Sequence, residues 1–340
     1  MPESLFELIP PDRRALARLA IGAVADSGRV TALGPVTGGA SGALTYRVEA
    51  GARSYLLRME TGRFAFQNPD HYACMEAAAH AGIAPPLRFV DPKQGIAVMD
   101  FVTQHPLQEY PGGSPALMRD LGGLIRRLQD SAAFPAPAIP YFELIRRMLA
   151  FVRRSRVFAA GLLDPHQEGF ERIGEAYPWN EAARVSSHND PNPRNILFDG
   201  ARLWLVDWEG ACRNDALTDL AVVTHELAGT PDLQQQLLRS WLGREPDPTT
   251  NARLVLMRQL TAMFYACVIF RRFAGESNRE PDWDLKALTG AEFTASIAQG
   301  RLRLGTPELL YEFGKMFLAG FRDGLTAPGF EEALVAARQG

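Results

Sequence analysis

A chain of 340 residues and 37.4 kDa, 46% hydrophobic and 22% charged, is long enough for two lobes that each bury a core. Its formal net charge of -3 gives no general reason to bind nucleic acid or an anionic membrane, which favours a small-molecule partner. The apolar runs are shorter than a bilayer-spanning segment, and three dispersed cysteines without a C-x-x-C pair argue against disulfides or a zinc site. Since residues 1–25 also lack a signal-peptide pattern, we expect a cytoplasmic protein that does not bind membranes.

The first hundred residues predict a small β-sheet with an initial helix and one further helix. Asp12 can cap the initial helix, and glycine-rich turns then separate three predicted strands at about 30–35, 44–49 and 54–59. An alanine-rich helix ends at Gly82 and precedes two strands, within "PLRFV" and "GIAVMDFV".

After Val102 the pattern changes to helices, predicted at 115–131, 141–161 and 166–177, with several more beyond Asp219. One β-hairpin is predicted in this section, with strands at 196–198 and 203–206 around an Asp199-Gly200 turn. The chain is therefore expected to have an α+β fold.

Polar residues are concentrated at one end of that hairpin, in "HNDPNPRN" before its first strand and "VDWE" at the end of its second. His188, Asp190 and Asn195 precede the hairpin, and Asp207 and Glu209 follow it. Because a tight turn brings its two ends together, carboxylate and amide oxygens converge there, the ligand set that Mg²⁺ prefers. A surface turn would explain the composition of this cluster but not its ordered spacing.

"HNDPNPRN" followed by "VDWE" resembles the catalytic and metal-binding segments of kinase-fold small-molecule phosphotransferases, the choline/ethanolamine kinase and aminoglycoside phosphotransferase group. The resemblance implies a two-lobed, protein-kinase-like fold with ATP and Mg²⁺ as cofactors. In that fold residues 1–98 form a small antiparallel β N-terminal lobe, 99–104 a hinge, and 105–340 a larger, mainly helical C-terminal lobe.

The resemblance implies a role for each residue of the polar cluster. Asp190 is expected to orient the substrate hydroxyl or accept its proton, while Asn195 and Asp207 hold Mg²⁺ against the nucleotide phosphates. His188 is expected to brace the loop rather than take part in chemistry. Glu209 is expected to help bind a cationic substrate.

Other residues take their expected roles from their positions in a kinase fold. The loop in "VTGGASGALTYRV" would cover the phosphates, Arg58 would bind them where protein kinases have Lys, and Glu76 would pair with Arg58. "VMDFV" would form the hinge that contacts adenine, and Asp219 would hold backbone amides of the catalytic loop. The resulting nucleotide-binding candidates are Gly38, Gly39, Ser41, Gly42, Arg58, Glu76, Met99, Asp100, Phe101 and Val102.

The acceptor is expected to be a small alcohol, and the D-W-E sequence favours choline or ethanolamine. Choline kinases hold a quaternary ammonium against aromatic rings, but Gly210 stands where an aromatic residue is common, and of a W-x-x-W pair only Tyr265 is aromatic. A different aromatic cage could be formed by Phe264, Tyr265, Trp241 and Trp283. An aminoglycoside or another hydroxylated metabolite is the alternative acceptor.

Two rivals of other classes remain to be weighed against a kinase. A pseudokinase that binds nucleotide without transferring phosphate is disfavoured because the catalytic Asp and both metal ligands are present. A dinucleotide-binding oxidoreductase is disfavoured because the glycine loop lacks G-x-G-x-x-G and joins two predicted strands, and no P-loop motif occurs. The sequence makes no prediction of the oligomeric state.

Overall fold

The computed structural model describes residues 3–25, 29–36, 43–62, 67–275 and 280–338. The chain divides into two compact units, each assembled from separate stretches of sequence. The first consists of Met1–Ala136, Arg184–Asp219 and Glu226–Arg244, and the second of Pro137–Ala183, Leu220–His225 and Glu245–Gly340. The lobe boundaries predicted at 99–104 stay a prediction.

Within the described ranges the chain forms nine strands and eleven α-helices. The strands are β1 (Val30–Pro35), β2 (Leu44–Ala50), β3 (Arg53–Met59), β4 (Leu87–Asp91), β5 (Ile96–Asp100), β6 (Val185–Ser187), β7 (Ile196–Phe198), β8 (Leu203–Leu205) and β9 (Cys212–Asn214). The helices are α1 (Arg14–Val24), α2 (His71–His80), α3 (Gly113–Gln129), α4 (Tyr141–Arg154), α5 (Asp164–Ala176), α6 (Thr218–Glu226), α7 (Pro231–Leu242), α8 (Pro248–Phe273), α9 (Gly290–Ala298), α10 (Pro307–Thr326) and α11 (Phe330–Ala337).

An antiparallel sheet in the order β1-β2-β3-β5-β4 forms the first unit's main β structure. Its strands bury alternate apolar residues, such as Val48 and Leu57, in one core with Ala17 and Ile21 of α1. The predicted cap by Asp12 is wrong, because Asp12 lies in a 3₁₀ turn ahead of α1 and no side chain caps that helix. The antiparallel sheet and the mostly helical remainder confirm the predicted α+β fold class.

Two short strand pairs lie in the part of the first unit after α5. The predicted hairpin is formed by β7 and β8, with Ile196 opposite Leu205. A second antiparallel pair, β6 with β9, encloses the same segment and was not predicted. Its strands have three residues each and are separated by 24 residues of other structure (188–211). The strands are too short for a recognisable alternation of apolar residues, and no single turn connects them, so the sequence does not predict the pair.

Helices α3 and α7 pack closely in the first unit because α3 has a glycine at the contact. A Cβ atom on Gly122 would lie 2.6 Å from the backbone oxygen of Leu237 and 2.9 Å from the Cβ of Ser240. The absence of a side chain therefore lets the two backbones approach.

The second unit is helical and is built around the 26-residue helix α8. This helix is long and apolar enough to cross a membrane by length and composition alone, yet 61% of its most apolar window is buried. Helices α4, α5, α10 and α11 pack against it, as expected for the central helix of a protein core.

Candidate active site

The loop between β6 and β7 is held in place by a buried histidine. The Nε2 atom of His188 lies 2.9 Å from the Val206 carbonyl oxygen, and the backbone N–H of Asp190 points to Nδ1 at 3.3 Å. Burial lowers the pKa of His188 to about 4, so the ring is neutral at pH 7. The neutral ring therefore donates from Nε2 and accepts at Nδ1, which ties the loop to the strand that leads to Asp207.

The same loop is held from the other side by Asp219, which is fully buried at the start of α6. Its carboxylate accepts hydrogen bonds from the backbone N–H groups of His188 at 3.0 Å and Asn189 at 2.7 Å, and from the Ser187 hydroxyl at 2.8 Å. Burial raises the pKa of Asp219 to about 6, against the opposing effect of these hydrogen bonds. Asn189 has a positive φ of 67°, a conformation that non-glycine residues rarely adopt and that these contacts stabilise.

The side chains of Asp190 and Asn195 are in direct contact. The Asn195 amide nitrogen donates to the Asp190 backbone oxygen at 2.9 Å and to its carboxylate Oδ2 at 3.2 Å. The other carboxylate oxygen of Asp190 accepts a hydrogen bond from the Asn192 amide at 2.9 Å. Because the Asn195 amide nitrogen makes these bonds, its carbonyl oxygen points elsewhere and can serve as a ligand.

Asp207 lies next to this pair through the hairpin ladder. The backbone N–H of Val206 donates to the Asn195 carbonyl at 3.0 Å, and Asp207 follows with a positive φ of 68°. Its Oδ1 atom is buried and has no hydrogen-bond partner among the described residues. Burial raises the pKa of Asp207, while Arg58 and His71 act in the opposite direction. A buried carboxylate oxygen without a partner among the described residues, one residue after the backbone contact to Asn195, fits a hard divalent cation such as Mg²⁺.

Arg58 on β3 is 9% exposed and forms ion pairs with two carboxylates. One is Glu60 at 3.4 Å, and the other is Glu209, which follows the hairpin. Burial and the neighbouring Asp207 carboxylate raise the pKa of Glu209 to about 7, against the effect of Arg58. Glu60 is in turn held by the ring of His71, at 2.7 Å from its Nε2. Two carboxylates therefore pair with one guanidinium, and a third, that of Asp207, lies close enough to raise the pKa of Glu209.

Glu60 and His71 were not predicted to belong to the site. Glu60 lies two residues after Arg58 at the end of β3, and His71 is the first residue of α2. The only sequence signal is the alternation of charge in "RME", since a carboxylate two residues away on a strand points to the same face as Arg58.

The expected pair between Arg58 and Glu76 is not formed, since the partners of Arg58 are the two carboxylates described above. Glu76 lies instead on a face of α2 that borders a groove with His80 and residues of β4, including Arg88. Residues four apart share a helix face, so Glu76 and His80 point together, away from the face that begins with His71. A contribution of Glu76 to nucleotide binding stays a prediction.

The predicted hinge residues are the last two residues of β5, Met99 and Asp100, and the two that follow it, Phe101 and Val102. Met99 is paired with Leu56 and Leu87 in the sheet, and the backbone N–H groups of Asp100 and Phe101 are hydrogen-bonded to neighbouring segments. The Asp100 carboxylate pairs with Arg88, at 2.7 Å from its Nε. No described residue accepts a hydrogen bond from the N–H of Val102, which leaves that donor for a ligand.

The remaining predicted residues belong to other elements or lie outside the described residues. Tyr265 belongs to α8 of the second unit, where it stacks on Phe317 with ring centroids 5.1 Å apart. Trp241 belongs to α7 of the first unit, and its indole N–H donates to Gln129 on α3 at 2.8 Å. An aromatic cage that includes these residues stays a prediction. The predicted phosphate-covering residues Gly38, Gly39, Ser41 and Gly42 lie outside the described residues.

A kinase-fold phosphotransferase is defined by three features in this order along the chain. They are an antiparallel sheet with a buried basic residue, a catalytic-type loop, and a hairpin that ends in an acidic residue. The comparison with protein families agrees. Residues 33–252 match the model of the phosphotransferase enzyme family (APH), and the chain belongs to this family. A search of curated proteins found no match.

Solved structures similar to this chain show the same fold at low sequence identity. A choline/ethanolamine kinase family protein from Mesorhizobium loti is 22% identical, with a TM-score of 0.70 over 96% of this chain and 99% of that one. The choline kinase LicA from Streptococcus pneumoniae is 15% identical, with a TM-score of 0.61 over 92% of this chain and 99% of that one. Spectinomycin phosphotransferase APH(9)-Ia is 11% identical, with a TM-score of 0.56 over 89% of this chain and 98% of that one. The predicted family resemblance is confirmed.

Proposed function

We propose that this protein transfers the γ-phosphate of ATP, with Mg²⁺, to the hydroxyl of a small amino alcohol, with choline or ethanolamine as the leading acceptors. The observation that carries the proposal is the buried, unpartnered carboxylate oxygen of Asp207 beside the hydrogen-bonded pair of Asp190 and Asn195. A phosphotransferase needs a metal ligand and a hydroxyl acceptor side by side, and this segment supplies both.

Asn195 and Asp207 are the proposed Mg²⁺ ligands. Within the described ranges no group of three or more His, Cys, Asp or Glu side chains has metal-binding geometry. A kinase-type site does not require one, because Mg²⁺ keeps several waters and takes the remaining ligands from the phosphates. When bound, the ion would neutralise charge that builds up on the transferred phosphoryl group.

Asp190 is the proposed acceptor of the substrate hydroxyl proton. Its carboxylate oxygens accept amide hydrogen bonds from Asn192 and Asn195, which fix the orientation of the group. A carboxylate oriented in this way can accept the proton of the substrate hydroxyl. His188 and Asp219 act only through position, since they hold the backbone on which Asp190 is carried.

Arg58 is the proposed cation for the nucleotide phosphates, and Glu60 positions it. The guanidinium fork can bind phosphate oxygens bidentately, and the fixed contact from Glu60 to His71 limits the freedom of the Arg58 side chain. The backbone around Val102 is proposed to contact adenine. Structures of similar fold were determined with AMP and with ADP, which supports a nucleotide as the phosphate donor.

The carboxylates near Arg58 favour a cationic acceptor. Glu60 and Glu209 pair with the guanidinium, Asp207 acts on the pKa of Glu209, and carboxylates at this end of the hairpin would attract an ammonium group. Glu209 and Tyr265 are the proposed contacts to that ammonium. An aminoglycoside is the alternative, since it also presents amines and hydroxyls, and a spectinomycin phosphotransferase shares the fold.

The experiment is a Mg²⁺-dependent assay of ADP release over a panel of alcohols that includes choline, ethanolamine and aminoglycosides. We expect turnover with choline or ethanolamine, and Asp190→Ala should abolish it while Mg-ATP binding is kept. Asp130→Asn is the control, because Asp130 is exposed and, within the described ranges, its carboxylate pairs with Arg126 on α3. Indifference to choline and ethanolamine would eliminate the leading acceptors, and normal binding without turnover of any alcohol would favour the pseudokinase.

We propose a cytoplasmic location.

A further inference from the structure

The first unit contains a cavity of about 620 Å³ that none of the proposed catalytic or nucleotide-binding residues lines. Its walls come from α3, from α7, from the turn after α2 and from the end of the turn between β7 and β8. The volume lies within the range of small-molecule sites. The cavity is therefore large enough for a small molecule.

Three guanidinium groups line this cavity, those of Arg119, Arg127 and Arg202. Asp120 is the one carboxylate in its described lining. That carboxylate is already engaged, because it pairs with Arg119 at 3.1 Å and accepts the Tyr110 hydroxyl at 2.7 Å. The cavity is thus basic within a protein whose net charge is negative.

The Arg127 guanidinium has no hydrogen-bond or ion-pair partner in the described part of the chain, and it lines the cavity. Arg126, the preceding residue, does have one, since its Nε lies 2.7 Å from Asp130. One turn before Arg127, a Cβ atom on Gly123 would lie 3.8 Å from the Arg127 guanidinium and 3.9 Å from the Ser240 hydroxyl. The absence of a side chain at Gly123 therefore leaves space in the cavity next to the Arg127 guanidinium.

The three arginines reach the cavity from two sides. Arg119 and Arg127 are eight residues apart on one face of α3, or about 12 Å along the helix axis. Arg202 comes from the β7–β8 turn, where its guanidinium donates to the Gly82 carbonyl and lies 3.9 Å from the centre of the Trp204 ring. The separation suits a ligand larger than a single orthophosphate ion.

We propose that this cavity binds a small molecule that carries a phosphate group. A guanidinium fork matches phosphate geometry, and a tetrahedral phosphate presents three terminal oxygens to several guanidinium groups, whereas a carboxylate presents two. The ligand would contact Arg202, which directly precedes β8, while Asp207 lies two residues after the end of that strand. The site is thus placed to modulate the segment that carries the proposed metal ligand, and its existence does not depend on the proposed function.

Binding is tested with inorganic pyrophosphate in metal-free buffer at constant ionic strength, by calorimetry and by tryptophan fluorescence. We expect saturable binding and a change in emission, because a ligand that draws Arg202 away alters the surroundings of Trp204. Arg127→Gln should weaken binding about tenfold, which is about 1.4 kcal/mol at 25 °C. Arg126→Gln, the matched control one residue away, should bind within about twofold of wild type, as expected for an arginine that already has a partner and lies outside the cavity.

Two further variants make the outcome specific to the cavity. Trp204→Phe should remove the fluorescence change and keep the calorimetric signal. Arg127→Lys should give intermediate affinity, because it keeps the charge but loses the fork. The proposal is overturned by an absence of saturable binding at millimolar pyrophosphate, by equal losses in Arg126→Gln and Arg127→Gln, or by binding that survives in Arg127→Gln and is lost in Arg58→Gln.

Discussion

Replacement of Asp219 by Asn separates the role of this residue in stability from its role in holding the catalytic loop. The amide keeps the shape of the side chain but has one acceptor oxygen in place of two. If that oxygen stays with Ser187 and Asn189, the new NH₂ group faces the backbone N–H of His188, which loses its partner. An unsatisfied buried N–H costs about 1–3 kcal/mol.

A gain of similar size opposes this loss. The pKa of Asp219 is raised from 3.8 to about 6, so ionised Asp219 costs the folded state about 3 kcal/mol at pH 7. The neutral amide avoids that cost. We therefore expect the free energy of unfolding at pH 7 to change by less than about 2 kcal/mol, while kcat falls at least about tenfold because the loop that carries Asp190 is no longer held.

The pH dependence gives a second readout of the same change. A carboxyl whose folded pKa is raised contributes stability that is present below its unfolded pKa of 3.8 and is lost as the pH rises through about 6. Asp219→Asn removes this loss, so its stability relative to wild type should rise by about 1 kcal/mol between pH 5 and pH 7.

The measurements are urea unfolding at pH 5 and pH 7 and steady-state kinetics at pH 7, with Asp130→Asn as an exposed control. A difference in stability that does not change with pH would show that the pKa of Asp219 is not raised. An unchanged kcat would show that Asp219 does not position the loop, and either result would refute the reasoning.

Glu60→Gln should raise KM for ATP about tenfold with a smaller change in kcat, because the phosphate-binding guanidinium of Arg58 loses a charged partner. A larger effect of Glu76→Gln would instead show that Arg58 pairs with Glu76 when nucleotide is bound. Burial lowers the pKa of His166 to about 4, so the stability that the neutral ring contributes is present above pH 6.5 and is lost as the pH falls toward 4. His166→Phe should reduce this acid loss of stability by up to about 3 kcal/mol in urea unfolding at stepped pH. An unaltered pH profile would contradict the lowered pKa. Gly122→Ala should lower the free energy of unfolding by more than about 2 kcal/mol, since its Cβ would lie 2.6 Å from a backbone oxygen of α7. Gly22→Ala, with nothing within 4 Å of the new Cβ in α1, is its control and should be neutral or stabilising by up to about 1 kcal/mol.

Elements that depend on contacts between residues close together in the chain could be predicted from the sequence. The strands at 30–35 and 44–50 were recognised from apolar runs between glycine-rich breaks, and the hairpin around Gly200 from its turn dipeptide. The close approach of Asp190 and Asn195 follows from a spacing of five residues ahead of a strand. In each case the determining contacts are made between residues near one another along the chain, so a short window contains the information.

The pairing of Arg58 with Glu209 depended on tertiary structure. Glu209 is 151 residues away in sequence, and Glu76 was as plausible a partner by position alone. The β6–β9 pair, the close packing at Gly122 and the basic cavity likewise join segments that no local period connects. Residue type determines which side chains carry charge, and local pattern determines many of the strands and helices. Which charges meet depends on the packing of helix faces and sheet edges, and that is determined by the burial of side chains from the whole unit.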